Sequence, residues 1–368
     1  MTNLGKNKKL KKIFLVAGAR PNFMKIAPIL QEMKTYGDRF CPFFIHTGQH
    51  YDDEMSRIFL QELGLPEPDV YLGAGSGSHG SQTAKVMIAF EKVMMRERPD
   101  IVVVVGDVNS TLACALVASK MWVPIAHVEA GLRSFDRTMP EEINRMITDQ
   151  LSDYLFTTCK DANKNLKREG IPTEKTYFVG NVMIESLIKC RPRVEESRVL
   201  EKLGLKEKEY VLTTLHRPTN VDSKDRFQDI CNALHQIQQE IKVIFPAHPR
   251  TQERMKTFDL QGFNNRLIVM NPLGYFDFLA LEMHARFVLT DSGGIQEETT
   301  LFGVPCLTIR ENTERPITIT EGTNTLVGVE SEKIIQASYD ILTKGGKRGR
   351  VPEYWDDKVS QRIVKILF

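Results

Sequence analysis

Short apolar runs recur along the chain, each closed by Gly, Asp, Asn or Pro and followed by a longer segment with helical spacing. In the first half the runs are KIFLVAGA from Lys12, FFIHTG from Phe43, IVVVVGD from Ile101, PIAHVEAG from Pro124, YLFTTC from Tyr154 and TYFVGN from Thr176. The second half repeats the cadence with YVLTTLH from Tyr210, KVIFPAH from Lys242, RLIVM from Arg266, FVLTDSG from Phe287 and PCLTI from Pro305. Val/Ile runs without polar alternation describe strands covered on both faces, as in a parallel sheet sandwiched by helices. Amphipathic stretches such as Ser81 to Arg96 and Glu141 to Leu151 supply those helices. The cadence pauses over Lys189 to Glu209, which is charged and lacks an apolar run. The pattern predicts an α/β protein of two doubly wound Rossmann-like domains facing a cleft. Its expected parts are a basic tail (1–11), a first domain (12–188), a linker region (189–209) and a second domain (210–352). A C-terminal helix (353–368) follows, able to pack back on the first domain. The halves echo each other: one first strand ends in Ala19-Arg-Pro-Asn22, the other in His216-Arg-Pro-Thr-Asn220.

Composition narrows the function. Forty-nine Lys plus Arg against forty-seven Asp plus Glu leave +2, so no global field draws nucleic acid or an anionic membrane. The one basic run, Lys6 to Lys12, sits at a terminus. The apolar stretch after it, Ile13 to Ala19, is cut by Arg20 and Pro21, too short to span a bilayer and without a small-residue cleavage site. The six cysteines (41, 114, 159, 190, 231, 306) form no C-x-x-C pair and mostly lie in apolar segments. They read as reduced thiols rather than zinc ligands or disulfides, which predicts a cytoplasmic protein.

In open parallel sheets, ligands bind outside the carboxyl ends of the strands. The residues after the runs carry more charge than turns need: Arg20, Asp107, Glu129, Arg133, His216, Arg217, His248, Arg250 and Asp291. In Asp291-Ser-Gly-Gly-Ile-Gln-Glu-Glu298, a strand ends, two glycines admit a close ligand, and a helix begins at about Gly294. Amides at that helix start suit an anion, with Ser292 adding a hydroxyl, and Glu298 one turn on can accept ribose hydroxyls. There is no G-x-G-x-x-G after the first strand and no G-x-x-x-x-G-K-[ST], so a dinucleotide cofactor and a P-loop ATP site are not expected. In the first half Asp107, Glu129, Glu141 and Glu142 collect with Arg133 and Arg145. Grouped carboxylates raise one another's proton affinity and can give and take protons near neutrality. A phosphate-binding half combined with a proton-transfer half suits a nucleotide sugar.

Six elements occur in order: Ala19-Arg-Pro-x-x-x-Lys25, Gly-Asp-x-x-Ser-Thr from Gly106, His-Val-Glu-Ala-Gly-Leu-Arg from His127, Pro-Glu-Glu-x-Asn-Arg from Pro140, Asp-Ser-Gly-Gly-Ile-Gln-Glu-Glu from Asp291 and Thr-Glu-Arg-Pro from Thr313. With them the chain resembles the non-hydrolysing UDP-N-acetylglucosamine 2-epimerases over nearly its whole length after the tail. The resemblance implies a glycosyltransferase-B-like fold and interconversion of UDP-N-acetylglucosamine and UDP-N-acetylmannosamine. UDP is eliminated to give a 2-acetamidoglucal, then re-added. It implies Asp107, Glu129 and Glu141 as acid/base groups and His216 near the sugar and phosphates. Arg20, Lys25, Arg145 and Arg315 would neutralise substrate charge; Ser292 and Gly293 would hold the diphosphate and Glu298 the ribose. No metal or other cofactor is implied, and a homodimer is the family's usual state.

Gln49-His50 matches the pair that helps hold a second, activating nucleotide sugar in bacterial members. The following segment, Gly73 to Gly80, departs from the family pattern: it is Gly/Ser-rich, carries His79, and lacks the expected Arg. That departure leaves open both activation and the sugar, UDP-2,3-diacetamido-2,3-dideoxy-glucuronate being the alternative substrate. Two rivals remain: a glycosyltransferase of the same fold, distinguished by its need for an acceptor, and a catalytically silent nucleotide-sugar sensor, which would keep the anion site yet lose the carboxylates present here.

Overall fold

The computed structural model describes residues 10–48, 60–260 and 266–368. Gln49, His50 and tail residues 1–9 lie outside the described residues. The chain divides into two compact units, Met1–Lys189 with Glu353–Phe368, and Cys190–Pro352.

The first unit holds β1 (Lys11–Ala17), β2 (Phe40–His46), β3 (Val70–Tyr71), β4 (Ile101–Val105), β5 (Ile125–Ala130), β6 (Tyr154–Thr157) and β7 (Thr176–Phe178). They form one parallel sheet in the order β3-β2-β1-β4-β5-β6-β7. All five residues of β4 are buried, as an uninterrupted β-branched run between two helical layers requires. The second unit holds β8 (Tyr210–Thr214), β9 (Lys242–Pro246), β10 (Leu267–Met270), β11 (Phe287–Thr290), β12 (Cys306–Thr308) and β13 (Asn324–Leu326). Its parallel order, β10-β9-β8-β11-β12-β13, repeats the same winding. Each unit is therefore a doubly wound α/β layer structure, as the apolar cadence predicts. The two strands that the cadence does not reveal, β3 and β13, are only two and three residues long. In both sheets the strand order reverses beside the first strand, between β1 and β4 and between β8 and β11. Loops diverge there and leave a crevice at the carboxyl edge.

The segment 189–209 is partly helical: helix Val182–Glu195 covers its start and helix Val199–Lys202 lies within it. The chain end returns to the first unit. Helix Val359–Ile366 packs on helix Arg20–Lys34. Phe368 stacks on Phe40 at 5.3 Å, and the Lys11 ammonium donates to the carbonyls of Leu367 (3.1 Å) and Phe368 (2.6 Å). Trp355 is buried, and its indole N–H donates to the Thr158 carbonyl at 3.0 Å. Ser360 binds the buried Glu185 carboxylate through both its amide and its hydroxyl, each at 2.6 Å. No helix of the described residues is long and apolar enough to cross a membrane.

Because Trp355 fills a closed site and satisfies a carbonyl, Trp355→Ala should destabilise the first unit by about 3 kcal/mol or more. Urea unfolding followed by circular dichroism checks this, and a loss below about 1 kcal/mol would contradict the packing described.

Candidate active site

In the first unit three elements converge on Gly106, the residue after β4. Gly106 has φ 66°, and a Cβ there would lie 3.1 Å from the Lys25 ammonium, 3.2 Å from the Asn22 amide nitrogen and 3.8 Å from Glu129 Oε2. Glycine is thus needed both for the left-handed turn and for the approach of these groups. Lys25, on helix Arg20–Lys34, forms a buried ion pair with Glu129. Glu129 belongs to β5 but has φ 76°, and the register against β6 shifts between Val128 and Ala130. A positive φ in a side-chain-bearing residue costs roughly 1–3 kcal/mol, and a bulge at a strand's carboxyl end re-aims its side chain. The bulge belongs with the ion pair: it turns Glu129 toward the helix that carries Lys25.

Asp107 follows Gly106 and is half-buried. Arg145 grips Asp107 Oδ2 through Nε (3.0 Å) and Nη2 (2.6 Å), while its Nη1 reaches Glu142 at 2.8 Å. The simple i,i+4 pairing of Arg145 with Glu141 that the spacing suggests is replaced by these two. Glu142, grouped with the acid/base set by sequence, instead holds a turn. It accepts the Ser134 amide (2.9 Å), the Ser134 hydroxyl (3.0 Å) and the Phe135 amide (2.9 Å). Glu141 is half-exposed in the first turn of helix Pro140–Leu151, where the helix dipole favours a carboxylate. Arg133 is likewise structural, buried against Asp149 (2.7 Å) and Glu169 (2.6 Å). Burial alone would raise the Asp149 carboxyl, yet His127 and Arg133 hold it below the ordinary range. His127 in turn spans Asp149 (2.6 Å) and the Gly106 carbonyl (2.8 Å), which fixes the turn bearing Asp107 from beneath.

Asn22 completes this edge. Its side-chain oxygen accepts the Gly18 (3.2 Å) and Ala19 (3.1 Å) amides, and its nitrogen donates to Val105 at the end of β4 (3.2 Å). Asn144 ties the Asp107 carbonyl (2.8 Å) to Asn109 (3.2 Å), whose amide nitrogen contacts His79 at 3.1 Å. Arg20 begins helix Arg20–Lys34, three residues after the end of β1.

In the second unit Asp291, buried after β11, gathers the turn that follows β8. Its carboxylate accepts the His216 amide (3.2 Å), the Arg217 amide (3.0 Å) and the Asn220 amide nitrogen (3.1 Å). His216 adds an Nδ1 contact to Asp291 at 2.9 Å, while its side chain stays 56% exposed. With Nδ1 engaged, Nε2 is the nitrogen directed away from Asp291. Burial raises the Asp291 carboxyl, but the His216 and Arg217 hydrogen bonds bring it below the ordinary value.

Helix Gly293–Phe302 starts one residue before the expected position, with Ser292 as its N-cap. Gln296 donates to the Ser292 carbonyl (3.1 Å) and accepts from Thr313 (2.7 Å) and Asn324 (3.0 Å), tying the helix start to the Thr313-Glu-Arg-Pro segment. Arg315 lies directly over that start: a Cβ on Gly293 would meet its Nη1 at 2.6 Å and Glu314 Oε1 at 2.6 Å. Arg315 pairs with Glu297 (2.9 Å) and Glu314, and Glu314 with Arg310 (2.8 Å), an alternation of charge that fixes geometry. Helix amides and a guanidinium at one point make an anion site. Glu298, buried one turn further on, has its carboxyl pushed up by burial to about 7. The raised carboxyl expected in the first unit is therefore found here, whereas Asp107 and Glu129 each face a cation. Among the described residues no cluster of three His, Cys, Asp or Glu side chains could hold a metal ion.

Two parallel, doubly wound units, one bearing a helix-start anion site and the other ion-paired carboxylates at its carboxyl edge, define the architecture of an enzyme handling a nucleotide-linked substrate. The profile of the UDP-N-acetylglucosamine 2-epimerases matches residues 34–368. A UDP-N-acetylglucosamine 2-epimerase of Methanocaldococcus jannaschii is 45% identical over 365 residues, 97% of this chain and 98% of that protein. A UDP-2,3-diacetamido-2,3-dideoxy-D-glucuronate 2-epimerase of Pseudomonas aeruginosa is 41% identical, over 90% and 93% of the two chains. The crystal structure of the M. jannaschii enzyme in complex with UDP-N-acetylglucosamine and UDP superposes with a TM-score of 0.89 at 42% identity, covering 97% of this chain and 99% of that one. The chain belongs to the UDP-N-acetylglucosamine 2-epimerase family.

Replacing Asp291 by Asn removes the charge that binds the His216 turn and should cost about 1.5–3 kcal/mol at neutral pH. A carboxyl lowered by folding stabilises above its unfolded-state value, about 3.9, and loses that contribution as pH falls toward the folded one. The difference between parent and Asp291→Asn should shrink below about pH 4. Urea unfolding at several pH values checks this, and a constant difference would contradict the assignment.

Proposed function

We propose that the chain inverts C2 of UDP-N-acetylglucosamine to give UDP-N-acetylmannosamine, by elimination and re-addition of UDP. The observation that carries this reading is the meeting of two ion-paired carboxylates, Asp107 and Glu129, at Gly106 in a member of this family. The C2 hydrogen is not α to a ketone, so its removal has to be coupled to departure of a stabilised anion. A carboxylate takes the C2 proton while the C1–O bond breaks. Its electron pair leaves with UDP, and a C1=C2 double bond forms in 2-acetamidoglucal. A UDP oxygen then attacks C1 while a carboxylic acid returns a proton to the other face of C2. Two faces of one carbon need more than one group, and Asp107, Glu129 and Glu141 are the candidates. His216, oriented by Asp291, acts at the sugar–phosphate end.

Lys25 and Arg145 serve the reaction through Glu129 and Asp107, setting their orientation and the local charge. Ser292 and Gly293 take the diphosphate, with Arg315 above them and Arg20 as a further cation; Glu298 takes the ribose hydroxyls. Gln49 and His50 are the residues for a second, activating sugar. No metal or redox cofactor has a step in this scheme. The buried thiols of Cys114, Cys159, Cys231 and Cys306 suit a cytoplasmic setting. Exposed Ile88 and Met95, seven apart on helix His79–Glu97, and exposed Trp122 suit a homodimer.

The Pseudomonas aeruginosa relative favours a second reading, the same inversion on the diacetamido-glucuronate, with the His79 segment as the place where the sugars would be told apart. Incubating the purified protein in heavy water with each UDP-sugar alone decides between them. The expected result is the manno epimer of UDP-N-acetylglucosamine carrying deuterium at C2. Turnover of the glucuronate only would shift the assignment to the second reading. Full retention of the original C2 hydrogen in product would overturn the elimination mechanism.

A further inference from the structure

The two strands that flank the reversal of strand order in the second unit, β8 and β11, both end in threonine. Thr214 and Thr290 are partners in the parallel register, so their side chains leave the same face of the sheet side by side. Their hydroxyl oxygens lie 2.7 Å apart. Thr290 Oγ1 also accepts the Ser292 amide at 3.0 Å, which fixes the turn leading into helix Gly293–Phe302.

This chain of hydrogen bonds has a direction. The Ser292 N–H donates, so Thr290 Oγ1 accepts there and its own hydroxyl proton still needs an acceptor. Thr290 is fully buried (0% exposed), and among the described residues its hydroxyl bonds only the Ser292 amide and Thr214 Oγ1. Were Thr214 the donor, the Thr290 proton would be buried without a partner, at the full desolvation cost of that group. Thr290 is therefore the donor and Thr214 the acceptor. A hydroxyl also donates once, and the Thr214 proton has no acceptor among the described residues. Thr214 is the one residue of β8 that is not buried, the first four being covered. The strand thus ends in an unspent hydroxyl donor, placed in the crevice where doubly wound sheets take their ligands.

Building on the diphosphate proposed for Ser292 and Gly293, we infer that Thr214 is a further nucleotide-binding residue, whose hydroxyl, oriented by Thr290, donates to a phosphate oxygen. The dipoles select an anion. The Ser292 N–H, the Thr290 O–H and the Thr214 O–H all point the same way, each polarises the next, and the chain ends in a proton facing outward. A phosphate oxygen accepts such a proton in a charge-assisted bond, stronger than one to a neutral sugar hydroxyl. Thr214 is also two hydrogen bonds from Ser292, beside the helix start whose amides from Gly293 onward face the same anion. The Ser292 amide itself is spent on Thr290.

Affinities for UDP and for uridine, which lacks the phosphates, test this by calorimetry and by ligand-observed nuclear magnetic resonance. Thr214→Val keeps the branched shape and removes the donor. It should bind UDP about tenfold or more weakly than the parent, with uridine within about twofold. Thr214→Ala, which crowds nothing, should show the same pattern, and circular dichroism checks that each variant is folded. Thr214→Ser keeps the hydroxyl and should bind both ligands within about threefold of the parent. Parent-like UDP affinity in Thr214→Val and Thr214→Ala would overturn the inference. So would an equal loss for uridine, or an equal loss of UDP in Thr214→Ser, because either would mean that shape and not the donor matters. If the parent itself bound UDP no more tightly than uridine, the diphosphate reading would fall and the inference with it. A preference for UDP that Thr214→Val retained in full would sink the inference alone.

Discussion

The ion pair between Lys25 and Glu129 sits where three separate elements of the first unit must agree. Helix Arg20–Lys34 delivers the lysine, the bulge in β5 delivers the glutamate, and Gly106 after β4 leaves room for both. Each charge would be expensive to bury alone, so any rearrangement that separates them strands a charge in a low-dielectric interior. That penalty explains why a strand bearing a left-handed residue persists there: the pair over-determines the backbone. The same logic holds Asp107, whose carboxylate is gripped by a guanidinium that Glu142 braces from the other side. The carboxylates at this edge are thus oriented by protein charge, which for the proton transfer proposed above is the condition under which electrostatic preorganisation lowers a barrier.

The second unit solves a different problem with the same winding. Backbone amides and Arg315 meet at one helix start, and the surrounding charges are alternated and nearly balanced from Glu297 to Arg310, an arrangement that suits the diphosphate proposed for it. Net neutrality of that network leaves the guanidinium directional without a strong general field, in keeping with a chain whose overall charge is close to zero. Where carboxyls are buried without a cation, at Glu282 and Glu298, burial raises both above the ordinary range.

Much of the fold is legible in the sequence, because β-branched runs and their turn residues report strands and strand ends directly. The carboxyl-edge rule brings Asp107, Glu129, His216 and Ser292 into view from the sequence alone. What it cannot rank is role. Arg133 and Glu142 look as functional as Arg145 and Asp107 in a linear reading, and only their partners show that they hold the scaffold. The echo between Asn22 and Asn220 is visible in the sequence, but its reason is not. Asn22 ties the turn after β1 to the Val105 carbonyl at the end of the adjacent β4, whereas Asn220 donates to Asp291 after β11 and to the Ile309 carbonyl after β12. Glu282 escapes a linear reading because nothing in its helical context, Leu281-Glu-Met-His, distinguishes a buried acid from a surface one. β3 and β13 are too short to leave a pattern.

The proposed function divides the labour: the first unit's ion-paired carboxylates would move protons and the second unit would hold the nucleotide. Glu129→Gln is near-isosteric and removes the charge and the basicity, but it leaves the buried Lys25 ammonium without that carboxylate, so its fold is checked first by circular dichroism. Its UDP affinity and its turnover, measured on the same preparation, test the claim most directly. Affinity should stay within about threefold of the parent while turnover falls by about 10²–10⁴-fold. A fall in UDP affinity matching the fall in turnover, or turnover left intact, would contradict it.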